Sequence, residues 1–162
     1  MENLKLFAEN VSRKNPKLKY RSVWQFPTST EDFIKKHTKG KILHVCCGSS
    51  NLGDVRIDRW KQENQKSDGF IIADMFHLPI KRDSFDTVIA DPPWNLAYHV
   101  RHRLIFSLRD SIKWSGHLIF NCLWFPKIKC MKLQDLFAGM NNMAFRNVSL
   151  IGIYKKIQEQ LC

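Results

Sequence analysis

Short runs of apolar, β-branched residues recur along the chain, and each run ends in, or is followed by, a turn-forming or acidic residue. The clearest runs cover residues 41–47, 55–58, 70–74 and 85–90. Apolar runs of this length predict buried strands, and strands that alternate with longer polar segments predict a parallel sheet with crossover connections. We therefore expect an α/β fold with a mostly parallel sheet.

Later segments complete the predicted fold. Residues 116–122 predict a fifth strand, and residues 145–157 predict a closing strand that runs antiparallel at the edge of the sheet. Residues spaced as on one helical face predict helices over about 28–38, 95–113 and 133–140.

The first two predicted strands are too close in sequence for an ordinary parallel connection, because only residues 49–54 lie between them. A parallel crossover usually takes a dozen or more residues and usually contains a helix. Either the first crossover helix is missing and the chain crosses by a bare loop, or residues 55–58 do not pair in parallel with the first strand. We favour the missing helix.

Length and charge indicate one domain with a polyanionic partner. The chain has 162 residues, of which 44% are hydrophobic, which is enough for a single core. We expect a domain over 23–162 and a basic arm over 1–22, which either lies along a phosphate backbone or is a solvated terminus. A formal net charge of +11 favours nucleic acid as the partner.

The composition also restricts the cellular setting. No apolar run is long enough to span a bilayer, and the N-terminus has no signal-peptide core. Five cysteines, an odd number without metal-ligand spacing, argue against a disulfide framework and predict no metal site. We expect a reduced, cytoplasmic protein, in the host cytoplasm if it is viral.

The most distinctive stretch is Asp91-Pro92-Pro93-Trp94, directly after the predicted strand 85–90. Neither proline can donate to a sheet ladder, so the strand ends in a stiff turn. The amine of a nucleobase is a poor nucleophile because its lone pair is delocalised into the ring. A carboxylate at Asp91 and a carbonyl at Pro92 can accept its two N–H groups and localise that pair, while Trp94 offers a stacking face. An ordinary strand-ending turn is the alternative.

This tetrapeptide resembles the catalytic motif of class I S-adenosylmethionine-dependent amino-methyltransferases, in its N6-adenine form. The resemblance is continuous over residues 70–94 and looser over 24–157. It implies a single-domain, Rossmann-like enzyme with Asp91, Pro92, Pro93 and Trp94 as catalytic residues. The implied reaction methylates an exocyclic base amine of DNA, with N6 of adenine first and N4 of cytosine next.

The same resemblance implies where S-adenosylmethionine binds. Gly48 matches the glycine of the family's cofactor loop, although His44 stands in place of the usual acid and Ser50 in place of the second glycine. An acid at the tip of the second strand holds the ribose in the family; Asp58 takes this place here, with Asp54 as the alternative.

In the family, an acid after the third strand binds the adenine amine of the cofactor, and an apolar residue beside it covers the adenine ring. Asp74 fits the first role, and Met75 or Phe76 fits the second. Thr28 matches loosely a motif before the first strand, where a plain helix start is the alternative. The implied cofactor-binding residues are Thr28, Cys47, Gly48, Asp58, Asp74, Met75, Phe76 and Asp91.

Other functions remain open at this stage. One is an RNA enzyme that acts on a base amine of tRNA or rRNA, and another is a non-catalytic nucleic-acid-binding module on a methyltransferase fold. Bacterial DNA enzymes of this kind usually carry a sizeable target-recognition region, and we identify none here. A very short recognition site, a homodimer or a separate partner would each supply target choice. Trp124 and Phe125 either line the target pocket or close the core.

Overall fold

The computed structural model describes residue 26 and residues 28–63, 65–93, 95–122, 124–140 and 148–158. The basic arm 1–22 and Trp94 therefore lie outside the described residues. The elements in chain order are α1 (Thr28–His37), β1 (Ile42–Val45), β2 (Val55–Asp58), β3 (Phe70–Ile72), β4 (Phe85–Ala90), α2 (Tyr98–Ser111), β5 (Ile112–Asn121), β6 (Met131–Met140) and β7 (Val148–Lys156).

The strands form one seven-stranded sheet in the order β3-β2-β1-β4-β5-β7-β6. The pairs from β3 to β5 are parallel, and β7 is antiparallel to both β5 and β6. The predicted α/β class, with a mostly parallel sheet and an antiparallel edge, is therefore confirmed. The closing strand itself lies one place inside the edge, because β6 covers it.

The prediction of a helix over 133–140 is wrong, since these residues belong to β6. Leu133, Leu136 and Phe137 have helical spacing, but the segment pairs along β7 from Met131 to Met140. A bulge after Leu133 shifts the register and leaves Leu133 and Leu136 about two-fifths exposed. Pairing with the open side of β7 outweighs the local helical pattern, as tertiary context often does.

Bare loops replace most crossover helices. Strands β1 and β2 pair in parallel and residues 46–54 join them without a helix, so the missing first crossover helix is confirmed. The loop suffices because Leu43 lies opposite Val55, and the chain returns by only two residues, about 7 Å. Among the described residues, the connections β2–β3, β3–β4 and β5–β6 contain no helix either.

A buried arginine ties the first two bare connections together. Arg56 of β2 is 3% exposed. Its guanidinium donates to Asn51 Oδ1 in the first connection, 2.6 Å away, and to the carbonyls of Lys66 and Asp68 in the second. No carboxylate within the described ranges pairs with Arg56. Its hydrogen bonds are thus mainly to groups that would otherwise be left without a helix or strand partner.

Apolar side chains cover both faces of the sheet. On one face α2 packs over the centre, and the buried side chains include Leu43, Val45, Val88, Leu104, Leu108, Leu118 and Phe120. On the other face α1 packs through Ile34 against Ile89, Ile119 and Ile151. No helix in the described part of the chain is long and apolar enough to cross a membrane.

The cysteines depart from the expectation at one position. Cys46, Cys47 and Cys122 are free thiols, whereas Cys130 is disulfide-bonded. An odd number of cysteines argues against a fully paired framework, but it does not exclude a single bridge.

Candidate functional site

The carboxyl ends of four parallel strands bring three predicted acids to one edge of the sheet. Asp58 ends β2, Asp74 follows β3, and Asp91 follows β4 directly. The Cys46 thiol, just after β1, lies among them: burial raises its pKa, and the Asp58, Asp91 and Asp74 carboxylates raise it further. Ligands of open α/β sheets bind at this edge.

The loop after β1 is fastened to the tip of β2. The backbone N–H of Gly48 donates to Asp58 Oδ2 over 2.8 Å, and the N–H of Arg59 donates to Asp58 Oδ1 over 2.7 Å. Each carboxylate oxygen has a second lone pair, so Asp58 can also accept from a hydroxyl. Both Cys46 and Gly48 have left-handed backbone, with φ of 57° and 54°. That conformation is ordinary for glycine but strained for Cys46.

The Cys47 side chain faces the protein interior. It is buried, and the Gln65 amide donates to its sulfur over 2.9 Å. Burial raises the pKa of the Cys47 thiol to about 11, so it stays neutral at physiological pH. A contact between Cys47 and a ligand at this edge would therefore use its backbone.

His44 and Asp54 do not belong to the acidic edge. His44 stacks on Phe26 with ring centres 5.8 Å apart, and burial lowers its pKa to about 4, so the ring is neutral. Asp54 Oδ2 accepts the backbone N–H of Ile42, at the amino end of β1. Of the two alternatives for a ribose-binding acid, only Asp58 lies at the carboxyl edge.

The residues after β3 point in different directions. Asp74 Oδ1 accepts the backbone N–H of Phe76 over 2.8 Å, while the Met75 sulfur lies 3.4 Å from the Cys46 sulfur. The Phe76 ring lies under the Arg103 guanidinium and lines a cavity of about 410 Å³ beside α2. Met75 is thus the apolar neighbour of the acidic edge, and Phe76 belongs to a separate cavity.

Asp91 is the most strongly perturbed acid of the site. Burial raises its pKa to about 6, a hydrogen bond from Asn121 opposes the shift, and the Asp58 carboxylate adds to it. Asn121 Nδ2 donates to Asp91 Oδ1 over 2.7 Å, and Ser149 Oγ donates to Asn121 Oδ1 over 2.9 Å. The described residues place no hydrogen bond on Asp91 Oδ2.

Sequence reasoning missed both supports of Asp91. Asn121 is the last residue of β5 and Ser149 lies in β7, and both are 5% exposed. The only signal in the sequence is a polar residue at the end of an otherwise apolar strand. The sequence does not show that Asn121 and Asp91 meet, because their pairing depends on β4 lying beside β5.

The two prolines after Asp91 have different surroundings. Pro92 is buried and Pro93 is exposed. The Pro93 carbonyl accepts the N–H of Leu96 over 3.1 Å, whereas no described residue donates to the Pro92 carbonyl. The turn therefore leaves one open acceptor next to Asp91. Trp94, the fourth predicted catalytic residue, and the side chain of Thr28 lie outside the described residues.

The two cavities described in the structure lie away from this edge. Neither the cavity beside Phe76 nor a second one of about 280 Å³, near Lys39 and His117, includes the three acids. Within the described ranges, no group of three or more His, Cys, Asp or Glu residues could hold a metal ion. The three acids therefore line neither of these two cavities.

Comparison with known proteins gives a result for structure and none for sequence. No family model matches the sequence, and no curated protein is significantly similar to it. Among solved structures, the N-methyltransferase NodS from Bradyrhizobium japonicum WM9, in complex with S-adenosyl-l-homocysteine, has a TM-score of 0.59 at 11% identity. The match covers 77% of this chain and 82% of that one.

Two further solved structures agree with it. TrmN from Thermus thermophilus has a TM-score of 0.61 at 15% identity, over 80% of this chain and 48% of that one. The Burkholderia thailandensis 1,6-didemethyltoxoflavin-N1-methyltransferase, with bound S-adenosylhomocysteine, has a TM-score of 0.60 at 8% identity, over 80% and 76%. The chain therefore has the Rossmann-like fold of class I S-adenosylmethionine-dependent methyltransferases, and at these identities the likeness is one of fold.

Proposed function

We propose that this protein transfers the methyl group of S-adenosylmethionine to an exocyclic amine of a nucleobase in DNA, with N6 of adenine as the first candidate. The observation that carries the proposal is the geometry of Asp91. Its carboxylate is mostly buried directly after β4, Asn121 holds Oδ1, and Oδ2 has no partner among the described residues. This is how an acceptor would be presented to an amine.

The acidic edge has the right chemistry for the proposed cofactor. S-adenosylmethionine supplies a methyl group on a positively charged sulfur, and it carries hydroxyl and amine donors. Carboxylates at Asp58, Asp74 and Asp91 surround the Cys46 thiol, so the edge favours a cation and accepts hydrogen bonds. A carrier of positive charge therefore fits the residues that meet there.

Most of the predicted cofactor residues then have a definite role in the proposal, whereas Phe76, which lines the separate cavity, has none. Asp58 accepts from the ribose hydroxyls, and Asp74 accepts from the adenine amine with the oxygen that Phe76 does not use. Met75 covers the adenine ring. The backbone of Cys47 and Gly48 approaches the cofactor closely, because Gly48 has no side chain to prevent it. Thr28 is kept as a prediction for the methionine end.

Asp91 and Pro92 prepare the base for reaction. Asp91 Oδ2 and the Pro92 carbonyl accept the two N–H groups of the amine, which localises its lone pair on nitrogen. That pair forms the new N–C bond as the C–S bond breaks, and the electrons of the broken bond stay with sulfur. The methylated nitrogen then releases a proton to the Asp91 carboxylate or to water. Trp94 is predicted to stack on the base.

The direct test is to offer DNA and RNA side by side with isotopically labelled S-adenosylmethionine and to identify the labelled nucleoside by mass spectrometry. We expect label in N6-methyladenine from DNA. Asp91→Ala should lower kcat by about 10²–10³-fold, the usual effect of losing one oriented polar group of this kind. Asp135→Ala, an exposed aspartate of β6, is the matched control and should keep wild-type turnover.

The other results each exclude part of the proposal. Label in RNA alone would make the enzyme an RNA methyltransferase, and label in N4-methylcytosine would change the target base. Cofactor binding in calorimetry without any transfer would favour the non-catalytic module. No cofactor binding at all, or normal turnover of Asp91→Ala, would refute the mechanism.

A further inference from the structure

A group of aromatic side chains beside the catalytic turn has no role in the proposed reaction. Tyr98, the first residue of α2, is 84% exposed, and Phe125, after β5, is 53% exposed. The Arg101 guanidinium lies 5.8 Å from the centre of the Tyr98 ring and 4.7 Å from that of Trp124. Both distances fall within the roughly 6 Å over which a guanidinium is attracted to the face of an aromatic ring.

Short contacts connect this group to the turn that carries Asp91. Arg101 Nε donates to the Leu96 carbonyl over 3.1 Å, and the Leu96 N–H donates to the Pro93 carbonyl over 3.1 Å. Trp124 packs edge-on against the buried Phe120 of β5, with ring centres 5.1 Å apart. Arg101 and the partly buried Trp124 are therefore anchored beside the turn, and the exposed Tyr98 ring lies against Arg101.

We infer that Tyr98, Arg101 and Trp124 form a stacking platform for a second base, next to the one that is methylated. The inference rests on the proposed function, and it specifies the substrate further. Exposed aromatic rings combined with arginine are how proteins bind single-stranded nucleic acid, because every base has a face that can stack.

A stacking platform outside the active-site pocket implies a nucleic-acid substrate with unpaired bases. In a duplex, one base can be extruded into an active site while its neighbours stay stacked in the helix. A platform outside the pocket is used only if a neighbouring base also presents its face. Exposed basic side chains at His99, His102 and Lys127 lie in the same segments and can meet the phosphates of such a strand. The substrate class is therefore a single strand, a loop or an open end.

A control residue lies near the amino end of β5, away from the edge of the sheet that carries the three acids. Trp114 is 45% exposed, and Lys156 Nζ lies 4.7 Å from its ring centre. It thus combines an exposed aromatic ring with a neighbouring cation, here the buried Lys156, and it lies near the start of β5, whereas Trp124 follows the end of that strand. If any exposed aromatic promoted binding, Trp114 would act like Tyr98.

The test is equilibrium binding without cofactor, followed by the anisotropy of fluorescently labelled oligonucleotides. The probes are a mixed-sequence DNA strand, its RNA counterpart and the DNA duplex at one salt concentration. We expect tighter binding of the single strands than of the duplex. Tyr98→Ala should weaken single-strand binding about tenfold, the effect of losing one stacked base, and Tyr98→Phe should preserve it. Trp114→Ala should bind like the wild type.

The outcomes separate this inference from the proposed reaction. Equal affinity for duplex and single strand, or unchanged binding by Tyr98→Ala, would overturn the platform. The binding assay contains no cofactor and detects no methyl transfer, so its result is read independently of the proposed reaction. If the Tyr98 effect is found and no nucleic acid is methylated, the platform stands and the proposed reaction fails. Whichever strand binds more tightly, DNA or RNA, identifies the sugar of the substrate.

Discussion

The two halves of the sheet are built in different ways. Strands β1, β2 and β3, which carry most of the proposed cofactor site, have three or four residues each and are joined by bare loops. Strands β4 to β7, beside which the base would bind, have six to ten residues, and α2 packs on them. Arg56 and Gln65 connect the loops of the first half, whereas side chains such as Leu104 and Phe120 fill the second.

The two halves are therefore stabilised by different kinds of interaction. Short strands bury little apolar area, so the cofactor half depends more on hydrogen bonds from buried polar side chains. Strands β4, β5 and β7 bury apolar surface on both faces. Regions with less buried apolar area open locally at lower free energy than the core does. We therefore expect β2 and β3 to exchange their amide hydrogens faster than β4 and β5.

The largest expected effect comes from removing the arginine that ties the loops. Arg56→Ala removes the three hydrogen bonds by which the buried guanidinium joins the two loops, and we expect it to lower the free energy of unfolding by about 2–4 kcal/mol. Urea unfolding measures the loss, and hydrogen exchange locates it in β2 and β3. Arg56→Met keeps the aliphatic stem and should lose a similar amount. Arg82, whose side chain is 75% exposed, provides the control. Equal loss of protection in β4 and β5 would contradict the comparison.

Asp91 lies at the junction of the two halves. Its ionised carboxylate is mostly buried there and should lower the free energy of unfolding at neutral pH. Its pKa is about 6 in the folded protein and about 3.8 when unfolded. Between these values the folded state holds the proton more tightly, so stability falls as the pH rises from about 4 to 6. Asp91→Asn should therefore raise the free energy of unfolding at pH 7 by roughly 2–3 kcal/mol. In urea unfolding, a gain that persists below pH 4 would show another cause.

The same pKa predicts a pH profile for the reaction. If Asp91 acts as an ionised acceptor, kcat/KM should rise with pH through about 6 and then level off. Asn121 lowers the pKa of Asp91, so Asn121→Ala should move the midpoint to higher pH. Ser149 loses its partner in that variant as well. A purely structural role for Asn121 would reduce activity at every pH and leave the midpoint in place.

The smallest expected effect lies in the loop after β1. Cys46 has a φ of 57°, and Cys46→Gly relieves this strain while adding entropy to the unfolded chain. We expect a net gain of at most about 1 kcal/mol. Cys46→Ala retains the Cβ and should give no such gain, although it also loses the contact with the Met75 sulfur. Thermal unfolding of both variants decides whether backbone strain or that contact matters more.

Local pattern alone was enough for several features of this protein. The apolar runs predicted β1 to β5, because strands buried on both faces need continuous apolar residues. The short spacing between the first two strands predicted a crossover without a helix. The acids Asp58, Asp74 and Asp91 were located correctly at strand ends, since the carboxyl ends of parallel strands share one edge.

Tertiary contacts decided the rest, for reasons that no local pattern contains. Residues 133–140 have helical spacing, and only the open side of β7 makes them a strand. Asn121 holds Asp91 because β5 lies beside β4, and Arg56 joins the loops on either side of its own strand. Met75 and Phe76 are adjacent in sequence but face different sites, because Met75 meets Cys46 and Phe76 meets Arg103 of α2. Each case depends on which elements become neighbours, and that is determined by the packing of the whole chain.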